Sequence, residues 1–125
     1  MRPDHIANLL LAAVAVVHLL PLAGVAGVER LAALYGIRVD DAGLELLLRH
    51  RAVLFGVIGG VLLAGVWRPE YRTLACAVGL VSVVSFLLLA AMSGGLNDAL
   101  RRVVVVDVVA AVALVAVVAI DRWSS

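Results

Sequence analysis

The chain predicts an all-α integral membrane protein: a bundle of four transmembrane helices, with one short amphipathic helix at the interface between the first and second. Three observations predict it. Of 125 residues, 65% are hydrophobic and only 15% charged, with a mean hydropathy of +1.16, far from the usual balance of about half apolar and a quarter charged. Four long stretches are almost free of acids and bases. Each is near the roughly 20 residues that cross a hydrocarbon core of about 30 Å as a helix. A strand crossing lipid alone would leave its backbone unpaired, so the Val-rich stretch 103–118 is read as helix despite its β-branched residues.

The first span covers about 6–24. It resembles a secretory signal, with Arg2, an apolar run and small residues at Gly24-Val25-Ala26, but the run is long for such a signal and is read as a retained helix. Residues 28–35 alternate Glu29 and Arg30 with Leu31, Leu34 and Tyr35 and end at Gly36, the pattern of a short interfacial helix. The second span is about 44–67; its apolar core of 52–67 is extended backward by Leu44, Leu46, Leu47 and Leu48. Asp40 and Asp41 supply acceptors for its start. Pro69, in the tight turn 68–72, makes the second and third spans antiparallel neighbours. The third span runs over about 72–92. A Gly-rich connection with Asn97 and Asp98 leads to the fourth, about 100–121, which either residue can cap.

The net charge of +1 comes from ten Arg against nine acids, with no Lys, so there is no nucleic-acid footprint and no polybasic arm. Cys76 has no second thiol to pair with and is lipid-facing or packed. With both termini on one face, Arg2, Arg68, Arg72 and Arg122 lie there and Arg30, Arg38, Arg101 and Arg102 opposite. Once Arg49 and Arg51 are placed inside the second span, the positive-inside rule returns a tie. That tie permits either orientation and an antiparallel homodimer.

An ionisable side chain inside a membrane helix costs about 2.5–3.5 kcal/mol on insertion scales, so each needs a partner or a purpose. Asp107 lies about 7–8 Å deeper than Arg102. One turn away on its own helix are only Val103, Val104, Ala110 and Ala111, so any partner comes from another helix. His18 has Val14, Ala15, Pro21 and Leu22 at those offsets, and His50 and Arg51 see only Leu, Val and Phe. Arg49 alone has a local acid, Glu45, in the favourable order. Counted by depth, His18, Arg49, His50, Arg51, Ser85 and Asp107 fall in the first two turns of the membrane on the face bearing the long first connection. This predicts a convergent polar layer. Gly56, Gly60 and Ala64 on the second helix, and Ala75, Gly79 and Ser82 on the third, have the small-residue spacing of close helix packing; Pro21 can kink the first helix nearby.

Bland readings stand beside this. Asp107 with Arg49 or Arg51 makes a structural ion pair; Ser82 and Ser85 bond a carbonyl one turn back; Trp67, Trp123, Tyr35 and Tyr71 form an aromatic belt.

At Leu46-Leu-Leu-Arg-His-Arg-Ala-Val-Leu-Phe-Gly56, with His18-Leu-Leu-Pro-Leu-Ala-Gly24 before it and Asn97-Asp98 and Arg101 after it, the chain resembles small uncharacterised bacterial four-helix membrane proteins, similar in outline to the DoxX-like group. The resemblance implies a multi-pass protein of the bacterial inner (cytoplasmic) membrane. Some such sequences carry the name phosphopantetheine adenylyltransferase. That soluble family requires a parallel α/β sheet and an HxGH motif, and a chain whose histidines are His5, His18 and His50 has no such motif.

The expected function is an intramembrane site that takes a hydrophobic small molecule from the lipid bilayer and binds it, with acid/base conversion as its chemistry. His18, His50 and Asp107 are the candidate catalytic groups, and Arg49, Arg51, Ser85, Tyr35 and Asn97 the candidate ligand contacts. No cofactor and no metal is expected, because no Cys pair, haem motif or ligand spacing is present. Two alternatives are a dimeric transporter of the small multidrug-exporter type and an accessory subunit of a membrane complex. The exporters differ in placing their coupling Glu in the first helix, where this chain has His18.

Overall fold

A computed structural model describes residues 2–124. The elements in order are α1 (Pro3–Leu19), continued by a 3-10 stretch (Leu20–Val25), α2 (Val28–Tyr35), α3 (Ala42–Trp67), a 3-10 turn (Pro69–Tyr71), α4 (Arg72–Met92) and α5 (Asp98–Ser124). No strand occurs among the described residues. Four segments, Pro3–Val25, Ala42–Trp67, Pro69–Met92 and Asp98–Ser124, are long and apolar enough to span a membrane. The shortest has 23 residues, about 35 Å as a helix against a core of about 30 Å.

Local chemistry sets the ends. Asp41 Oδ2 accepts from the Leu44 amide at 3.0 Å and starts α3, satisfying one of the amides a helix N-terminus leaves open. Asn97 Oδ1 does the same for α5 through the Leu100 amide at 2.8 Å. Pro21 has no amide hydrogen to continue an α-helical ladder, and from Leu20 the first span tightens into 3-10 winding. Gly36 ends α2 in the left-handed region, φ +62, where a side chain is strained.

The four long helices form a ring in chain order. α1 packs against α3 and α5, and α4 packs against the same two; among the described residues neither diagonal pair brings its backbones together, and α1 meets α4 only through side chains. Leu11, Leu62, Val83, Leu114 and Val117 fill the centre, with Ala7, Ala15, Ala75 and Ala110 at the tight crossings. Lipid is as apolar as leucine, so close packing around small residues, rather than escape from water, holds such helices together. Large apolar side chains accordingly cover the outside, among them Leu9, Leu46, Leu88, Val105 and Val112.

The small-residue stripe on α3 is not the one the four-residue spacing indicates. Nothing lies within 4 Å of where a Cβ on Gly60 would stand, whereas Gly56 is filled by Leu22 and Gly59 by Leu19 and the Ala15 carbonyl. The contact face is Ala52, Gly56 and Gly59, stepping four and three, which follows one face of a 3.6-residue helix better than two steps of four. On α4, Ala75 and Gly79 are buried as the spacing predicts.

Candidate functional site

A cavity of about 380 Å³ opens between α1 and α5 at the end of the bundle that carries α2. His18 comes from α1, Tyr35 from α2, Arg51 and Phe55 from α3, and Arg102 and Asp107 from α5; the remaining lining is apolar. Gly24 allows Leu31 of α2 to seat against the 3-10 stretch, so α2 folds back over the cavity. Asn97 locks it there: while capping α5, its Nδ2 donates to the carbonyls of Tyr35 at 3.0 Å and Gly36 at 2.9 Å.

Asp107 is 8% exposed and faces the cavity. Among the described residues no hydrogen bond and no ion pair closes on its carboxylate. Arg51 shares the cavity and acts on it through space, without a nitrogen-to-oxygen contact within 4.0 Å. The ion pair with Arg49 or Arg51 is therefore not what the fold builds. Arg49 instead pairs with Glu45 at 3.7 Å and donates through Nε to the Val25 carbonyl at 3.0 Å.

Arg51 is held by aromatic faces. Its guanidinium carbon stands 4.6 Å from the Phe55 ring centroid, 5.5 Å from Phe86 and 5.7 Å from Tyr35, and its Nε donates to the Tyr35 hydroxyl at 3.3 Å. Ring quadrupoles attract a cation by about 0.5–2 kcal/mol each when little water intervenes. A cation is thus retained inside the bundle without an acid being consumed to neutralise it.

His18 is 1% exposed and has both ring nitrogens engaged. Nδ1 lies 3.0 Å from the Val14 carbonyl and Nε2 3.2 Å from Ser82 Oγ. A carbonyl only accepts, so Nδ1 carries the hydrogen; in the neutral ring Nε2 then accepts from the Ser82 hydroxyl. This bond joins α1 to α4 across the diagonal of the ring. The Phe55 ring packs on the imidazole with centroids 5.5 Å apart. His18 borders the cavity as a positioning residue.

Of the side chains expected at the site, the fold thus brings together His18, Tyr35, Arg51 and Asp107. It does not bring Arg49 or His50, which are exposed and line a shallow hollow with Glu45 and Val53. Successive helical residues are turned by about 100°, so a contiguous Arg-His-Arg triplet cannot face one cavity. Ser85 lies on the far side of Arg51 in a groove between α3 and α4 and donates to the Ser82 carbonyl at 3.0 Å. Asn97 acts as the clamp described above.

Two cavity residues, Phe55 and Arg102, escaped the sequence reading; Phe55 stands one turn from Arg51, the signal that could have found it. A larger omission lies at the opposite end. Arg72, 7% exposed, donates from Nη1 to Asp121 Oδ1 and from Nη2 to Asn8 Oδ1, both at 2.7 Å, tying α4 to α5 and α1. The three fall at one depth on the termini-bearing side, which was legible, but Arg72 reads as part of a turn until the partners are seen.

Among the described residues no three His, Cys, Asp or Glu side chains converge as a metal-holding group. Chemically, the cavity offers a carboxylate to a hydrogen-bond donor and guanidinium groups to an acceptor, within apolar walls. No family model, curated protein or solved structure matches the chain.

Proposed function

We propose that this chain is a membrane-embedded binding protein that draws a hydrophobic small molecule carrying a hydrogen-bond donor from the bilayer into the cavity between α1 and α5. The membrane is the bacterial cytoplasmic membrane, and α2 lies at its interface with Leu31 and Tyr35 turned inward and Glu29 and Arg30 outward. One observation carries the reading. Asp107 is buried beside a cavity with no hydrogen bond or ion pair among the described residues, at a cost of about 2.5–3.5 kcal/mol on insertion scales. The same molecule pairs its other buried charge: Arg72 meets Asp121 at 2.7 Å. A carboxylate kept solely for architecture would be held likewise. Proton transfer to or from the bound molecule would fall to Asp107, since His18 has both nitrogens engaged and His50 lies outside the cavity.

The test is the variant Asp107→Leu, purified with its native lipid extract and examined for retained small molecules by mass spectrometry, with stability followed by SDS unfolding in mixed micelles. The expected result is loss of the retained molecule with stability unchanged or raised. A loss of stability above about 1 kcal/mol would mark Asp107 as structural, and unchanged retention would remove it from the site.

A further inference from the structure

We infer that the molecule held is a single-chain amphiphile with an anionic head, a hydroxyl or amine a few bonds along, and one unbranched alkyl chain lying in the seam between α1 and α5. This rests on the cavity being a binding site, and adds what kind of molecule fits it.

The polar cavity does not end at Asp107. A second hollow of about 270 Å³, with wholly apolar walls, continues along the seam and shares Val17 and Val106 with the first. Its far end is reached at Leu10 on α1 and Ala113 on α5. From Val17 back to Leu10, and from Val105 to Ala113, the rise is about 10–12 Å. Carbon-carbon bonds of about 1.5 Å advance an extended chain by about 1.25 Å each, so the seam accommodates about eight to ten carbons. Ala13, Ala110 and Ala113 line it, and about 270 Å³ spread over a seam of this length is a cross-section of about 25 Å², room for one extended alkyl chain and not for two.

Charge selects the head. Arg51 and Arg102 face the cavity against the single acid Asp107, a surplus of one positive charge that suits a head with one negative charge. Arg102 is exposed and makes no hydrogen bond or ion pair among the described residues. Asp107, the one acceptor carboxylate, requires a donor on the ligand. The sequence of sites, guanidinium at the mouth, carboxylate deeper, then hydrocarbon walls, matches a lipid's orientation, with its head near the interface and its tail toward the midplane. A carboxylate-headed hydroxy acid and a lysolipid with a phosphodiester head, each with one negative charge and a hydroxyl, share this chemistry.

The full chain is placed in nanodiscs of uncharged phosphatidylcholine and photolabelled with 3-hydroxydodecanoate bearing a diazirine at the chain end; labelled residues are mapped by mass spectrometry. We expect label at Leu10, Ala13 and Ala113, reduced about tenfold by Ala13→Phe or Ala113→Leu, which fill the seam without touching the polar cavity. Ala77→Phe, on the exposed face of α4, leaves labelling unchanged. Competition by a saturated-chain hydroxy acid or by lysophosphatidylglycerol tells which head is preferred, and equal competition by the two-chain phosphatidylglycerol overturns the single-chain assignment. If Asp107→Leu abolishes labelling while both seam variants leave it intact, the cavity stands and the tail placement falls. If Asp107→Leu also has no effect, or label spreads evenly over the outer faces of α3 and α4, both fall.

Discussion

Gly59 and Gly60 are neighbours in the middle of α3, and the same substitution at the two should have opposite effects. Replacing either by Ala removes the conformational freedom of a glycine, a gain of about 0.5–1 kcal/mol common to both. At Gly60 nothing lies within 4 Å of the new methyl group, so only that gain is expected. At Gly59 the methyl would stand 2.6 Å from Leu19 Cγ and 3.3 Å from the Ala15 carbonyl oxygen. Leu19 Cγ is the branch point of its side chain and Ala15 O is backbone, so relief requires α1 to move away from α3, an overpacking cost of about 1–3 kcal/mol. Because the backbone gain cancels between neighbours, Gly59→Ala should be less stable than Gly60→Ala by about 1–3 kcal/mol in SDS unfolding from mixed micelles. The displaced segment also carries His18, so the Gly59 variant should lose ligand retention while the Gly60 variant keeps it. Equal stabilities, or a costlier change at Gly60, would refute the face assigned to α3.

Arg72→Met should cost about 2–3 kcal/mol in the same titration, somewhat below the 3–5 of a fully buried pair because the Asp121 side chain is 30% exposed; adding Asp121→Leu should recover part of the loss, and simple additivity would show the two do not act together. Asn97→Ala removes a helix cap worth about 1 kcal/mol and two bonds to α2, so amide exchange over residues 31–36 should accelerate while that of α4 does not; uniform acceleration would mean the clamp is not local. His18→Leu should lower stability by about 1–2 kcal/mol through its two hydrogen bonds, whereas exposed His50→Ala should stay within about 0.5 kcal/mol; the reverse order would contradict the placement of both rings.

The number, length and order of the helices are written in the sequence because lipid enforces them locally. A backbone without water must satisfy its own hydrogen bonds, so each long apolar run becomes a helix whatever surrounds it, and Asp41, Pro69 and Asn97 mark ends through contacts a few residues away. Asp107 was legible as well, since a carboxylate flanked by Val and Ala one turn either way is anomalous in any bilayer. What the chain could not reveal was the rotation of each helix about its axis. In water the apolar stripe identifies the inward face; here the outward face is just as apolar, so no pattern distinguishes Arg51 from Arg49 and His50, or Gly59 from Gly60. That choice belongs to the fit of side chains between neighbouring helices, as when Leu19 fills the space at Gly59. Partners across the ring, His18 with Ser82 and Arg72 with Asp121, are settled by the same fit, since residues 64 and 49 positions apart meet only after the spans have packed.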